Sequence, residues 1–239
     1  MSLENKTLLI TGASDGIGKA VSMRAAAQGA TVIIHGRNQP KLEKLYDDIV
    51  AQNYPEPVIY PLDLEKATPD DFGTMQQAIE KEFGELDGLI NNAGWFGAST
   101  PVQHFDVSLW HRVIQVNLNA AFMLTQACLP LLNRASEASI IFTVDNKSTA
   151  YWGAYGVAKA GLIAFMQILN DETENTGIRV NAINPGTIRT SFRSRAFPGE
   201  DPGQHPLPET VAPFYIRLLG DEFKTSRGRI FELEKMDSK

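Results

Sequence analysis

The amino-acid sequence predicts an α/β fold, a doubly wound parallel sheet of seven strands with helices on both faces, as one domain over residues 1–239. Three observations predict it. Short β-rich runs alternate with helical patterns along the chain, as repeated strand–helix–strand units require. Several of these runs are apolar at nearly every position, which suits strands covered on both faces. The first run leads directly into a turn containing Gly12, Gly16 and Gly18, and a helical pattern follows.

The expected strands are Thr7–Thr11, 30–35, 57–60, 86–91, 139–143, Ile178–Asn184 and 229–233. Right-handed crossovers between them place the helices on alternate faces. The helices carry start and stop signals: Asn38 before Pro40, Thr68-Pro69-Asp70-Asp71 as a cap with an acidic first turn, and Gly29 and Gly84 at C-terminal ends. Residues 107–133 read as one long helix bearing Trp110, Val113, Ile114, Leu118, Phe122, Leu129 and Leu132. That is more apolar surface than one buried face needs, so part of it is expected to meet another subunit. Residues 191–208 hold Pro198, Pro202, Pro206, Pro208, Gly199 and Gly203 in a polar context, which predicts a mobile loop at the substrate side.

With 239 residues, 43% of them hydrophobic, the chain can bury one sizeable core. A net charge of -6 disfavours nucleic acid and anionic membrane surfaces, while a phosphate-bearing small molecule can still bind through local amides and one or two cations. The single cysteine, Cys128, lies in an apolar stretch and reads as core filling, compatible with a reducing cytosol. No run reaches the length of a membrane span, and Leu8-Leu9-Ile10 is too short for a signal-peptide core, so a cytoplasmic protein is expected. The histidines, His35, His104, His111 and His205, show no HExxH spacing and no Cys or carboxylate cluster. No metal site is expected, and the histidines read as surface or loop residues.

Two motifs carry chemistry. In the glycine turn, absent side chains let backbone amides and the helix N-terminus approach a pyrophosphate. In Tyr155-Gly156-Val157-Ala158-Lys159, the four-residue spacing puts phenol and ammonium on one helix face, where a cation favours the phenolate and lowers a pKa ordinarily near ~10. Such a phenol can give and take a proton.

In order, Thr11-Gly12-x-x-x-Gly16-Ile17-Gly18, Asn91-Asn92-Ala93-Gly94, Asn117, Tyr155-x-x-x-Lys159 and Pro185-Gly186 resemble the short-chain dehydrogenase/reductase family, over residues 8–190. The resemblance implies a Rossmann fold and an NAD(P) cofactor held by Gly12, Ser14, Asp15, Gly16, Ile17 and Gly18. It implies further that Asp63 and Leu64 contact the adenine, that Asn91, Asn92, Ala93 and Gly94 line the cleft, and that Pro185, Gly186, Ile188 and Thr190 flank the nicotinamide. Tyr155 becomes the catalytic acid or base, Lys159 lowers its pKa and bonds the nicotinamide ribose, and Asn117 holds a water leading to solvent. The second strand ends at His35-Gly36-Arg37-Asn38, where Gly36 replaces the acidic residue that would bind a ribose 2′-hydroxyl and Arg37 can pair with a 2′-phosphate. NADP, or NADPH, is therefore expected over NAD, tempered by Asp15, which adds no positive charge.

One expected residue is missing. The family places a serine just past the fifth strand to bond the reacting oxygen, and here the chain continues Val144-Asp145-Asn146-Lys147-Ser148. Counting from the strand end selects Asp145; counting back from Tyr155 lands near Phe142. The strand-end count is preferred, because the sheet fixes the strand while a loop absorbs a deletion. An ionised Asp145 would raise the Tyr155 pKa unless protonated or paired with Lys147. Pteridine reductases of the family carry an aspartate there, which implies imine or pterin reduction as an alternative, and Ser148 or Thr143 remain candidates for the missing hydroxyl.

Trp95, Phe96, Tyr151 and Trp152 are either a substrate wall or packing or subunit-contact residues. Trp152-Gly153-Ala154-Tyr155 and Arg193-Ser194-Arg195-Ala196-Phe197-Pro198 resemble the YciK-type branch of bacterial reductases, which implies no definite substrate. The expected function is an NADP-dependent oxidoreductase acting on a carbonyl or alcohol, with a non-catalytic NADP-binding sensor or scaffold as the competitor from another class. A homodimer or homotetramer is implied by the resemblance.

Overall fold

The structure is a computed structural model that describes residues 2–233. Seven strands, β1 (Thr7–Thr11), β2 (Thr31–Gly36), β3 (Val58–Pro61), β4 (Gly88–Asn91), β5 (Ala138–Thr143), β6 (Ile178–Asn184) and β7 (Ile230–Glu232), form one parallel sheet in the order β3-β2-β1-β4-β5-β6-β7. Each expected strand is present, with ends shifted by up to two residues.

Among the described residues eight α-helices surround the sheet: α1 (Gly16–Ala26), α2 (Gln39–Val50), α3 (Pro69–Phe83), α4 (Val107–Ile114), α5 (Ala120–Leu132), α6 (Gly153–Glu172), α7 (Ser191–Ala196) and α8 (Pro208–Leu219). Residues of α1, α2 and α8, among them Val21, Leu42 and Tyr215, bury one face together with Leu8, Ile10 and Ile34. Residues of α3, α5 and α6, among them Phe72, Leu124 and Leu162, bury the other with Leu9, Ile33 and Ile140. The two-sided burial explains why the strands are apolar throughout. Cys128 is core filling on the second face. The chain leaves β1 toward β2 and β3 on one side and returns to β4 on the other, so a crevice opens at the carboxyl ends of β1 and β4.

Local signals act as expected at two helix starts. The Asn38 side chain accepts from Lys41 N, and Thr68 with Asp71 forms a reciprocal capping box. Three expectations need correction. Residues 107–133 are not one uniform helix: a π turn, Gln115–Asn119, separates α4 from α5 and carries Asn117. Apolar periodicity cannot reveal one inserted residue in a turn, and the pattern runs straight across it.

Residues 191–208 are not an unstructured loop. They contain α7, capped by Thr190, and a 3-10 turn at Pro202–Gln204. Arg193 Nε donates to Glu200 at 2.7 Å, Glu200 pairs with His205 at 3.1 Å, and Arg189 donates to the Gly203 and His205 carbonyls. Proline and glycine content hid these side-chain ties. His35, read as a surface or loop residue, is instead 1% exposed near the end of β2.

Candidate active site

The crevice is built around the β1 turn. Thr11 Oγ1 donates to the Ile90 carbonyl and accepts from the amides of Asn92 and Ala93, tying the end of β1 to the segment after β4. Gly16 has φ +53 and lies so close to Thr190 that an added Cβ would stand 2.9 Å from its methyl. At Gly18 a Cβ would lie 2.3 Å from the Gly12 carbonyl oxygen. Gly18 therefore does not line the cleft; it lets α1 press against the turn that does.

Asp15 caps α1 by accepting from Gly16 N at 2.7 Å and also receives Lys41 Nζ at 2.6 Å and Ser191 Oγ at 2.9 Å. Burial works against its ionisation, but these bonds outweigh it and hold the carboxyl below the usual range. The α7 segment is thus bonded to the glycine turn. Ser14, Ile17, Ala93, Gly94, Pro185, Gly186, Ile188 and Thr190 line the same cleft.

Two expected cofactor residues lie elsewhere. Asn91 is buried and donates to Thr125 Oγ1 at 2.9 Å; its neighbour Asn92 is the cleft residue, donating to the Thr11 carbonyl. Strand alternation sends adjacent side chains to opposite faces, so the paired asparagines cannot both face the cleft. Asn38 is occupied as the α2 cap and does not line the cleft. At the β2 end, Gly36 leaves the Ser14 hydroxyl 3.3 Å from where a Cβ would stand, and exposed Arg37 joins the rim. Leu62, Asp63 and Leu64 complete that end.

At the β5 end the structure brings Tyr155, Asp145 and Lys159 together. Tyr155 is 6% exposed and Lys159 3%. The phenol donates to Asp145 Oδ2 at 3.4 Å, a long bond, while Lys159 Nζ donates to the Thr143 carbonyl at 2.8 Å and stands 5.7 Å from the Tyr155 ring. The expected effect of Asp145 on the phenol has the sign that the sequence suggests, and burial adds to it. Burial, and then the Asp145 charge, push the phenol well above its ordinary value. Burial lowers Lys159 to about 8, Asp145 opposing. Burial also raises the Asp145 carboxyl, opposed by Lys147 and Lys159.

Neither rival hydroxyl fits the missing serine. Thr143 Oγ1 is engaged by Tyr215 Oη at 2.9 Å, and Ser148 does not line the cleft. Asn117 does not line it either. Its amide donates to the carbonyls of Trp95 and Val113 and accepts from Trp95 N, so both N–H donors are used and the side chain fixes Trp95.

The aromatic residues divide between both expected roles. Trp95 and Trp152 line the cleft, Phe96 is buried against Trp152, Tyr155, Phe192 and Phe197, and Tyr151 is exposed. Phe192, which packs 5.4 Å from the Tyr155 ring, and the cleft residues Thr187 and Arg195 were not among the expected site residues.

Among the described residues no cluster of metal-ligating side chains occurs, and no helix is long and apolar enough to cross a membrane. Residues 6–201 match the short chain dehydrogenase family. The uncharacterised oxidoreductase YciK of Escherichia coli K12 is 40% identical over 97% of this chain and 93% of its own length. A Shigella flexneri 2a chain assigned to the short chain dehydrogenases and complexed with NADP superposes with TM-score 0.94 at 39% identity, covering 97% of this chain and 98% of that one. A counterpart from Escherichia coli CFT073, complexed with NADPH, gives 0.93 at 41% identity, covering 96% and 97%. By the extent of these matches and the Rossmann-type sheet beneath them, the chain belongs to the short-chain dehydrogenase/reductase family of oxidoreductases.

Proposed function

We propose that the chain is an NADP-dependent oxidoreductase that moves a hydride between nicotinamide and a carbonyl or alcohol carbon, with Tyr155 exchanging the proton at oxygen. The observation that carries this reading is the convergence of Tyr155, Lys159 and Asp145 in the same cleft as the glycine turn. The cradle fits a dinucleotide: the open N-terminus of α1 suits a pyrophosphate, and the Gly36, Ser14 and Arg37 corner suits a 2′-phosphate. The NADP and NADPH held by the two relatives support this preference. When bound, the cofactor supplies two electrons and a hydrogen as hydride.

The protein's part is positioning and proton handling. The raised phenol pKa keeps Tyr155 protonated, which suits proton donation during reduction. Asn117 positions Trp95 at the cleft wall, and Lys159 fixes the end of β5 through the Thr143 carbonyl. α7 lays Phe192 against Tyr155, which limits water at the reacting end.

A second reading, reduction of a pterin-like C=N bond, is favoured by Asp145 standing 3.4 Å from the phenol. The carbon would gain the hydride and the nitrogen the Tyr155 hydroxyl proton, the phenolate regaining a proton from solvent afterwards, with the Asp145 carboxylate accepting an N–H of the ring. Exposed Phe122 on α5 and Val157 and Ile168 on α6 support a homo-oligomer formed through these helices. A monomeric mass at micromolar concentration contradicts that assembly.

The test is NADPH oxidation across ketones, aldehydes, imines and pterins, comparing wild type with Asp145→Asn. Turnover of ketones unaffected by the substitution supports the carbonyl reading, and activity confined to C=N substrates and lost in the variant supports the second. NADPH binding with no turnover on any of them overturns both and leaves a nucleotide sensor.

A further inference from the structure

The wall beside Tyr155 carries a cation that the fold leaves unpaired. Among the described residues five lysine and arginine side chains line the cleft, and four have a place elsewhere. Arg37 stands on the rim at the β2 end. Arg193 Nε donates to Glu200 at 2.7 Å, and buried Lys159 is spent on the Thr143 carbonyl. Arg195 donates to the Ser191 carbonyl, and the Ser191 hydroxyl bonds Asp15, so that guanidinium belongs to the glycine turn. Lys147 is different. Its half-buried side chain has neither a hydrogen bond nor an ion pair with any described residue.

Packing on α6 fixes its position. A Cβ at Gly156 would stand 2.3 Å from the Lys147 carbonyl oxygen, so the missing side chain is what lets the loop after β5 press on the helix one residue past Tyr155. The Lys147 ammonium lies 5.8 Å from the centre of the Trp152 ring, and the Trp152 ring lies 5.8 Å from that of Tyr155. Asp145 feels the Lys147 charge, yet its carboxylate turns to the phenol and makes no ion pair with the ammonium. In a chain of net charge -6, an open ammonium at the reacting end is a local reversal of sign that attracts an anion.

We propose that Lys147 binds a carboxylate of the substrate, so that the preferred substrates are keto acids whose apolar body lies against Trp95, Trp152 and Phe192. The proposal rests on the carbonyl reading of Tyr155 and deepens it by naming the substrate class. The carbonyl carbon takes the hydride of NADPH and its oxygen takes the Tyr155 proton, which yields a hydroxy acid and NADP+ and leaves the carboxylate unchanged. One open ammonium beside an aspartate suits a single negative charge better than the higher charge of a phosphate.

Kinetics with matched substrates tests it. kcat and KM are measured with NADPH for a series of aliphatic and aromatic keto acids, their neutral methyl esters and the corresponding keto phosphates, with wild type, Lys147→Met and Lys147→Arg. Wild type is expected to favour each acid over its ester. Methionine keeps the stem without the charge and is expected to lower that preference about tenfold, through KM more than kcat, while arginine retains most of it. A preference unchanged in Lys147→Met overturns the proposal. An equal loss on acid and ester with a shifted pH profile also overturns it, and makes Lys147 a charge partner of Asp145 instead. Preference for the phosphates overturns the choice of a carboxylate. Turnover of neither acids nor esters by wild type overturns the carbonyl reading itself, and the proposal with it.

Discussion

The glycine turn and the Tyr155 pocket share one cleft but differ in how their polar groups are satisfied. At the turn, Asp15 has three partners within 2.9 Å, and Thr11 binds two amides and a carbonyl. At Tyr155, a buried phenol and a buried ammonium stand beside a half-buried carboxylate, and among the described residues the phenol's only side-chain bond is the long one to Asp145. The first region is a finished cradle whose geometry is set by the backbone. The second is held away from its ordinary protonation equilibria by desolvation, which is where proton transfer gains most from an incoming substrate.

The largest expected effect separates the two regions. Tyr155→Phe should lower kcat by about 10²–10⁴-fold while leaving NADPH affinity within a few-fold, measured by turnover and by fluorescence titration. A comparable loss of cofactor binding would mean that the phenol belongs to the cradle.

Next is the pH dependence of stability. Lys159 titrates at about 8 when folded, against about 10.5 when unfolded, so between these values the unfolded chain binds more protons and stability rises with pH. Below the folded value the penalty is fully present. Tyr155, raised above its unfolded value, acts in the opposite direction beyond about pH 10. Urea unfolding without cofactor should therefore show a gain of about 2 kcal/mol from about pH 8 to about pH 10 that flattens in Lys159→Met. A slope equal in both proteins contradicts the burial of a costly ammonium.

The turn region should respond to volume rather than pH. Gly18→Ala forces a Cβ to 2.3 Å from the Gly12 carbonyl and should destabilise by about 1–3 kcal/mol, a fall of several degrees in Tm. The smallest effect is its control. In α3 an added Cβ at Gly73 meets nothing within 4 Å, so Gly73→Ala should stabilise by about 0.5–1 kcal/mol.

The same contrast explains what the residues disclosed before the structure. The strand positions, the α2 and α3 caps and the glycine turn were legible because each depends on residues adjacent in sequence. Asp145 was reachable because the sheet anchors the strand end. Its raising effect on the phenol pKa was legible with it, but the larger effect of burial was not, since spacing in one helix says nothing of Phe192 from α7, which packs against the ring. The π turn under Asn117 and the Arg193–Glu200 tie within 191–208 likewise depend on partners that periodicity and composition do not reveal. His35 was misplaced for a related reason: a polar residue in an apolar strand reads as an edge feature until the sheet shows a neighbour on each side.

The most direct test of an oxidoreductase centred on Tyr155 is a crystal structure of the NADPH complex. The account predicts that the nicotinamide C4 lies beside the Tyr155 hydroxyl at a separation one C=O or C=N group can bridge, with the pyrophosphate on the glycine turn. A nicotinamide ring bound away from Tyr155, or a phosphate group in the Tyr155 pocket, would contradict it.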